Sequence, residues 1–264
     1  MTDAAERTPE DSDPDIEDAF DRLVSEGRTR LGRTWAPLIT TGLVGGIDVG
    51  TGVLAYLVVL QQTGSKLLAG LAFSIGFVAL LLASGELFTE NFLVPVTAVV
   101  AGRSSPLKLA RLWLTTLAMN LIGCWAMAWL VVTARPDLKG VVRETGSHYA
   151  KLGVNLHSLA LAVIAGLVIT LMTRMQHATE SLGVQLVPAV LFGSLLAGGQ
   201  LFHSILDSQF MFAALHAGAP FGYYDWLRAL CWSVLGNVIG GVGLVTFLRL
   251  ARVPGKIKQE RAQS

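Results

Sequence analysis

The chain has 264 residues, 52% of them hydrophobic and only 15% charged, well below the roughly one-quarter charged content of a soluble domain. Its 20 basic and 19 acidic side chains leave a net charge of +1 and crowd into the two ends around a nearly neutral apolar middle. That distribution excludes a compact soluble fold and fits a multi-pass membrane protein, with no nucleic-acid partner expected.

Residues 1–13 are polar, acidic and Pro-containing, which predicts disorder and is unlike a signal peptide. From Pro14 to Arg33 the apolar residues Ile16, Phe20, Leu23, Val24 and Leu31 recur at helical spacing. This predicts an amphipathic helix lying on the membrane surface, on the inner face of the protein, or simply in solvent. Six apolar stretches follow, near 38–60, 67–100, 110–133, 155–175, 183–215 and 226–249. About 20 residues cross a bilayer as a helix. The second and fifth stretches are too long for one simple helix and too short for two. Each contains a polar, Gly-bearing break, at 84–91 ("SGELFTEN") and 198–208, and each holds a proline, Pro95 or Pro188.

The expected organisation is a cytoplasmic acidic tail and amphipathic helix over 1–33, a six-helix domain over 34–250 and a basic cytoplasmic tail over 251–264. Arg22, Arg28, Arg30, Arg33, Arg103, Lys108, Arg111 and Arg174 fall on one side, against Lys66, Arg135, Lys139, Arg143 and Lys151 on the other. The balance places both termini in the cytoplasm of an inner or plasma membrane, with 134–154 as a charged outer loop working against it. Cys124 and Cys231 lie in apolar runs and read as packing residues; no metal or cofactor spacing is present.

The two halves resemble each other. "ELFTEN" at 86–91 is echoed by "QLFHSI" at 200–205, and "MNLIGCW" at 119–125 by "GNVIGGV" at 236–242. Three spans per half makes the repeat inverted. The fold class is therefore an all-α membrane protein of six transmembrane helices, a 3+3 inverted repeat with broken second and fifth spans, an arrangement used by transporters and channels. Non-helical backbone at membrane depth is tolerated only where protein or a water-lined path satisfies it, and helix N-termini attract anions. The breaks are expected to face each other across a pore, with Thr89 and His203 as pseudo-symmetric partners.

At these residues the sequence resembles the formate/nitrite transporter family. The matching strings are "LAFSIGF" at 71–77, "SGELFTEN" at 84–91, "NLIG" at 120–123, "FHSI" at 202–205 and "GNVIGG" at 236–241. The resemblance implies an aquaporin-like protomer in a homopentamer. Phe73 matches a constriction phenylalanine, Thr89 the threonine of the first break, His203 the pore histidine and Lys151, with a one-residue shift, a vestibule lysine. The chain departs from the family at Phe202, where Glu is usual, at Asp207, where Asn is usual, and near Gly166, where a pore-facing Asn is expected. It therefore falls in a divergent branch.

His203 is the central candidate. As a proton donor it lets a weak acid cross an apolar constriction as a neutral molecule. Neutralising a carboxylate at pH 7 costs about 4 kcal/mol, against up to tens of kcal/mol for a bare anion in a dry ring. The plainer alternative is a buried histidine bonded to backbone at the break. Asp207, one turn on, is placed to pair with it. Glu86 is expected to cap freed N–H groups, Asp48 to face either the pore or a protomer interface, and Phe73, Phe77, Phe88 and Phe202 to gate or merely pack. Asn120 and Asn237 are expected to bond across the bundle and hold the breaks, and His148, His157, His177 and His216 to be interfacial. No nucleophile–base pairing suggests an enzyme. The expected function is a channel or transporter for a small monovalent anion or its weak acid; the alternatives are a neutral-solute channel and an occluded membrane scaffold or sensor.

Overall fold

The structure is a computed structural model that describes residues 14–262; the disorder expected for 1–13 lies outside the described residues. Helix α1 (Pro14–Gly32) precedes α2 (Trp35–Thr63) and α3 (Lys66–Leu82). The second stretch then breaks, makes a 3₁₀ turn at Phe88–Phe92 and resumes as α4 (Val94–Val100) before α5 (Pro106–Ala134). The second half repeats the plan with α6 (Lys139–Leu152), α7 (Leu156–Gln176), α8 (Leu182–Gly198), α9 (Ser204–His216) and α10 (Tyr223–Val238). The last span continues past α10 as a π-helical segment, Ile239–Phe247. Four helices, Trp35–Thr63, Pro106–Ala134, Leu156–Gln176 and Tyr223–Leu250, are long and apolar enough to cross a membrane whole. The broken pairs α3–α4 and α8–α9 make up the other two spans.

Local chemistry sets the boundaries. Ser105 caps α5 by accepting from Lys108 N at 3.3 Å, with Pro106 in the first turn. Asn155 and Ser158 form a reciprocal capping box at the start of α7, at 3.0 and 3.2 Å. The two breaks are built alike. Ser84 and Gln200 both take positive φ, 55° and 49°. The next amide reaches back five residues, Gly85 N to Leu80 O at 3.0 Å and Leu201 N to Leu196 O at 3.2 Å. Each is a Schellman-type stop that turns the chain out of the helix.

Of the three placements open for α1, the structure shows the one on the protein. Phe20, Leu23, Val24 and Leu31 are buried, each stabilising the docking by roughly 1.5–3 kcal/mol. Gly27 permits the close approach: a Cβ there would lie 2.5 Å from Val94 O. Arg111 ties down the far end by donating to Leu31 O at 3.1 Å and Arg33 O at 2.8 Å. The segment 134–154 corrects the expected loop, because most of it is helix α6, with Val142, Thr145, Gly146 and Tyr149 buried. α6 is the counterpart of α1. Gly146 seats on α9 as Gly27 seats on α4, its Cβ position 2.3 Å from Ala214 Cβ and 2.6 Å from Phe210 O. The inverted repeat therefore runs over an amphipathic helix plus three spans in each half.

Candidate functional site

Two asparagines hold the breaks, as expected of them. Asn120 accepts from Phe88 N at 2.8 Å and donates to Gly42 O and Glu86 O at 2.8 and 2.9 Å. Asn237 accepts from Ser204 N at 3.0 Å and donates to Ala162 O and Phe202 O at 2.9 and 3.0 Å. These clamps correct the register read from the strings. They equate Glu86 with Phe202 and Phe88 with Ser204, and the positive-φ pair equates Ser84 with Gln200. His203 is thus the counterpart of Leu87, and both are extended residues, at φ −113° and −101°, that open the following half-helix. Thr89 and His203 are not symmetric partners. The matching strings are offset by two residues from the matching backbone.

They nevertheless meet. Thr89 Oγ1 lies 2.9 Å from His203 Nε2, and both residues are shut away, 0% and 1% exposed. His203 also caps α9: its Nδ1 accepts from Leu206 N at 3.1 Å. An imidazole nitrogen that accepts carries no proton. The ring is therefore the neutral Nε2–H tautomer, donating to Thr89. Asp207 does not pair with the imidazole. Its Oδ2 accepts from the backbone N–H of His203 at 2.7 Å, while Oδ1 has no partner. The amides of His203, Ser204 and Leu206 are thus bonded to side chains, which removes much of the free N–H surface expected to draw anions.

Cavities open at both ends of the bundle. On the face that carries α1, one of about 280 Å³ is lined by Glu26, Arg30, Arg33, Glu86, Glu90 and His177. Toward the far end of α2, another of about 580 Å³ is lined by Tyr56, Lys66, Glu144, His148, Lys151 and Gln200. Neither cavity is lined by Thr89 or His203, where the sequence led to a continuous pore between the breaks.

Glu86 does not cap amides: its carboxylate pairs with Arg33 and accepts from Thr41 Oγ1 at 3.2 Å, leaving Oε1 unbonded in the first cavity. Asp48 faces inward, its Oδ2 against Gly85 at the first break and without a hydrogen bond. Phe73 packs edge-on with Phe77 at 5.4 Å and against Gly52. Phe88 sits in an aromatic cluster with Phe92 and Trp113, and Phe202 stacks on Tyr149 at 6.5 Å. Gly166, near which a pore asparagine was expected, is a helix seat, its Cβ position 2.1 Å from Asn237 O.

Lysine and histidine placements are informative. Lys151 lines the second cavity with Lys66, which donates to Gln200 Oε1 at 2.7 Å. The sequence counts Lys66 only as an outer charge; it stands in the first turn of α3 and braces the break of the other half, between α8 and α9. His148 lines the same cavity, and burial, with the charge of Lys66, holds its imidazole below the ordinary range. His177 lines the opposite one rather than a lipid interface, and burial, with Arg30 adding to it, holds this ring low as well.

A family model described as "Formate/nitrite transporter" matches residues 17–251. The inner membrane protein YfdC of Escherichia coli K12 is 26% identical over 257 residues, covering 91% of this chain and 80% of that protein. The formate channel BtFdhC of Bacillus thuringiensis is 24% identical over 245 residues, covering 87% and 92%. Among solved structures, an FNT family ion channel superposes with a TM-score of 0.81 at 17% identity, covering 90% of this chain and 99% of the other. A pentameric formate channel with formate bound superposes at 0.69 with 21% identity, covering 82% and 96%.

Proposed function

The chain belongs to the formate/nitrite transporter family, and we propose that it is a channel for a small monovalent anion of the formate or nitrite kind, or for the conjugate weak acid. The observation that carries the proposal is the Thr89–His203 hydrogen bond, closed between two polar cavities where two half-helices meet. Lys66 and Lys151 against a single acid, Glu144, give the second cavity a potential that gathers anions. Past it the wall is aromatic, where a bare anion is costly and a neutral acid is not. Likeness to a formate channel of Bacillus thuringiensis supports the substrate class.

His203 serves as hydrogen-bond donor to the permeant in place of Thr89. Proton donation proper needs the ring charged on both nitrogens, which ejects Leu206 N–H from Nδ1. Donation and uncapping of α9 are one event in this reading. By similarity to the pentameric formate channel, five copies assemble, each with its own pore. By likeness to YfdC and the basic residues around α1, the protein sits in an inner membrane with both termini in the cytoplasm.

The neutral-solute reading keeps one specific support: the imidazole is uncharged and most amides at the start of α9 are already bonded. Stopped-flow uptake into proteoliposomes separates the two. Formate, nitrite, acetate, lactate and hydrosulfide should enter faster as pH falls, and urea should not. Urea flux indifferent to pH, with no weak-acid flux, sinks the anion reading.

A further inference from the structure

A second feature of the α1 face lies apart from the pore. Four guanidinium groups converge where α1, the end of α7 and the segment after the last span meet. Arg174 is half-buried and repelled by Arg249, Arg22 and Arg252. None of the four forms an ion pair or a side-chain hydrogen bond among the described residues. Four acids on this face are used elsewhere. Glu17 and Asp21 hold Lys256 at 3.5 and 3.0 Å, Glu26 holds Arg30 at 2.9 Å, and Glu260 holds Arg103. The pocket that Arg174, Arg249 and Arg252 line holds no carboxylate, and its gathered like charges are unfavourable unless an anion sits among them.

The same place holds an apolar pocket. Arg174, Arg249 and Arg252 share with Phe20, Leu23, Leu93, Leu250 and Val253 the lining of a cavity of about 40 Å³. That space admits a phosphate-sized group and no nucleoside. Just before it, Leu244, Phe247 and Leu248 expose large apolar surface along the last turns of the span. A charged ring at the membrane boundary, continuous with an apolar strip running into the bilayer, matches a ligand with one anionic head and hydrocarbon tails. Basic pockets of this kind between helix ends take anionic headgroups, and guanidinium forks suit phosphate oxygens.

We infer that this cluster is a binding site for an anionic phospholipid, its phosphodiester held by Arg174, Arg249 and Arg252, with Arg22 closing the ring and the acyl chains along Leu244, Phe247 and Leu248. The lipid would bridge α1 to the end of the last span and fix α1 over the cavity on its own face. The site shares no lining residue with either pore cavity.

The test is native mass spectrometry of the intact detergent-solubilised protein, titrated with dioleoylphosphatidylglycerol and, separately, dioleoylphosphatidylcholine. The glycerol lipid should bind at least about tenfold more tightly. Each guanidinium near an anionic head is worth about fivefold, so Arg174→Gln/Arg249→Gln should bring its affinity down to that of the choline lipid. The exposed Arg252→Gln alone should weaken it several-fold, which keeps the test open if the double variant does not fold. Lys108→Gln/Arg228→Gln, exposed elsewhere, should leave binding unchanged. Equal affinity for both lipids, or unaltered binding in Arg252→Gln and the double variant, overturns the assignment. Displacement of the lipid by millimolar inorganic phosphate assigns the arginines to a free phosphate instead and also overturns it.

Discussion

His203 does two separable things, and two substitutions pull them apart. Its Nδ1 caps α9 through Leu206 N at 3.1 Å, and its Nε2 donates to Thr89 at 2.9 Å. His203→Leu removes both. A lost N-cap costs about 0.5–2 kcal/mol, and an amide left buried without a partner costs about 1–3 kcal/mol; these overlap, so a loss of about 1–3 kcal/mol is expected. His203→Asn keeps a short side-chain oxygen able to accept from the third amide of the helix but does not reach Thr89. Its stability should fall by about 0.5–1.5 kcal/mol, the buried bond to Thr89 alone. One missing hydrogen bond at the constriction is worth about 1 kcal/mol, so weak-acid flux should fall roughly five- to tenfold in His203→Asn and at least as far in His203→Leu. Reversible unfolding in mixed micelles gives the first quantity and stopped-flow uptake of formate at several pH values the second. If His203→Asn transports like the parent with the same pH profile, the imidazole has no part in permeation. If His203→Leu is fully stable, the cap contributes nothing.

The asparagine clamps should be near-equal in strength. Asn120→Ala and Asn237→Ala each remove three buried hydrogen bonds, at roughly 0.5–1.5 kcal/mol apiece, so micelle unfolding should show losses of about 2–4 kcal/mol from either. Gly27→Ala and Gly146→Ala put a methyl group 2.5 Å from Val94 O and 2.3 Å from Ala214 Cβ. Each should cost about 1–3 kcal/mol and raise hydrogen exchange in α1 or α6 alone. For His177, burial and then Arg30 outweigh the Thr173 carbonyl and Glu26, holding the ring below its ordinary range. The folded chain therefore binds this proton less tightly than the unfolded chain. Stability from this group is complete above about pH 6.5 and is lost as pH falls below it. His177→Gln should flatten the melting temperature between pH 7 and pH 5, and a slope unchanged by it would put the titration elsewhere.

The spans and their breaks were legible because lipid-depth sequence tolerates few polar residues, so Ser84, Glu86, Gln200 and His203 stood out. The break at 198–208 was read too long, since helix resumes at Ser204; the polar Asp207 and Ser208 side chains serve as a cap and an internal bond rather than marking coil. α6 was missed because Lys139, Arg143, Glu144 and Lys151 gave it the look of an outer loop. Its buried positions, Val142, Thr145, Gly146 and Tyr149, do follow the helical spacing, but two of them are small or polar and carry little hydropathy signal. The repeat was legible and its register was not. Leu-Phe recurs in both strings by side-chain type, whereas the true equivalences are set by φ at Ser84 and Gln200 and by which carbonyls the asparagines reach. Glycine seats such as Gly27 and Gly146 are visible only once the partner backbone is in place.

The account rests on Thr89 and His203 sharing one narrow point on the permeation path. A cadmium bridge reports on that point directly. In a Cys231→Ser background, which removes the exposed thiol, Thr89→Cys places a thiol beside His203; cadmium binds the pair once the thiol proton is lost and the Nε2 proton moves to Nδ1, releasing Leu206 N–H. Micromolar cadmium should block formate uptake into proteoliposomes, chelator should restore it, and Thr89→Cys/His203→Asn should be insensitive. Uptake that cadmium leaves untouched in Thr89→Cys, or blocks equally with and without His203, would contradict the meeting of these two side chains in the pore.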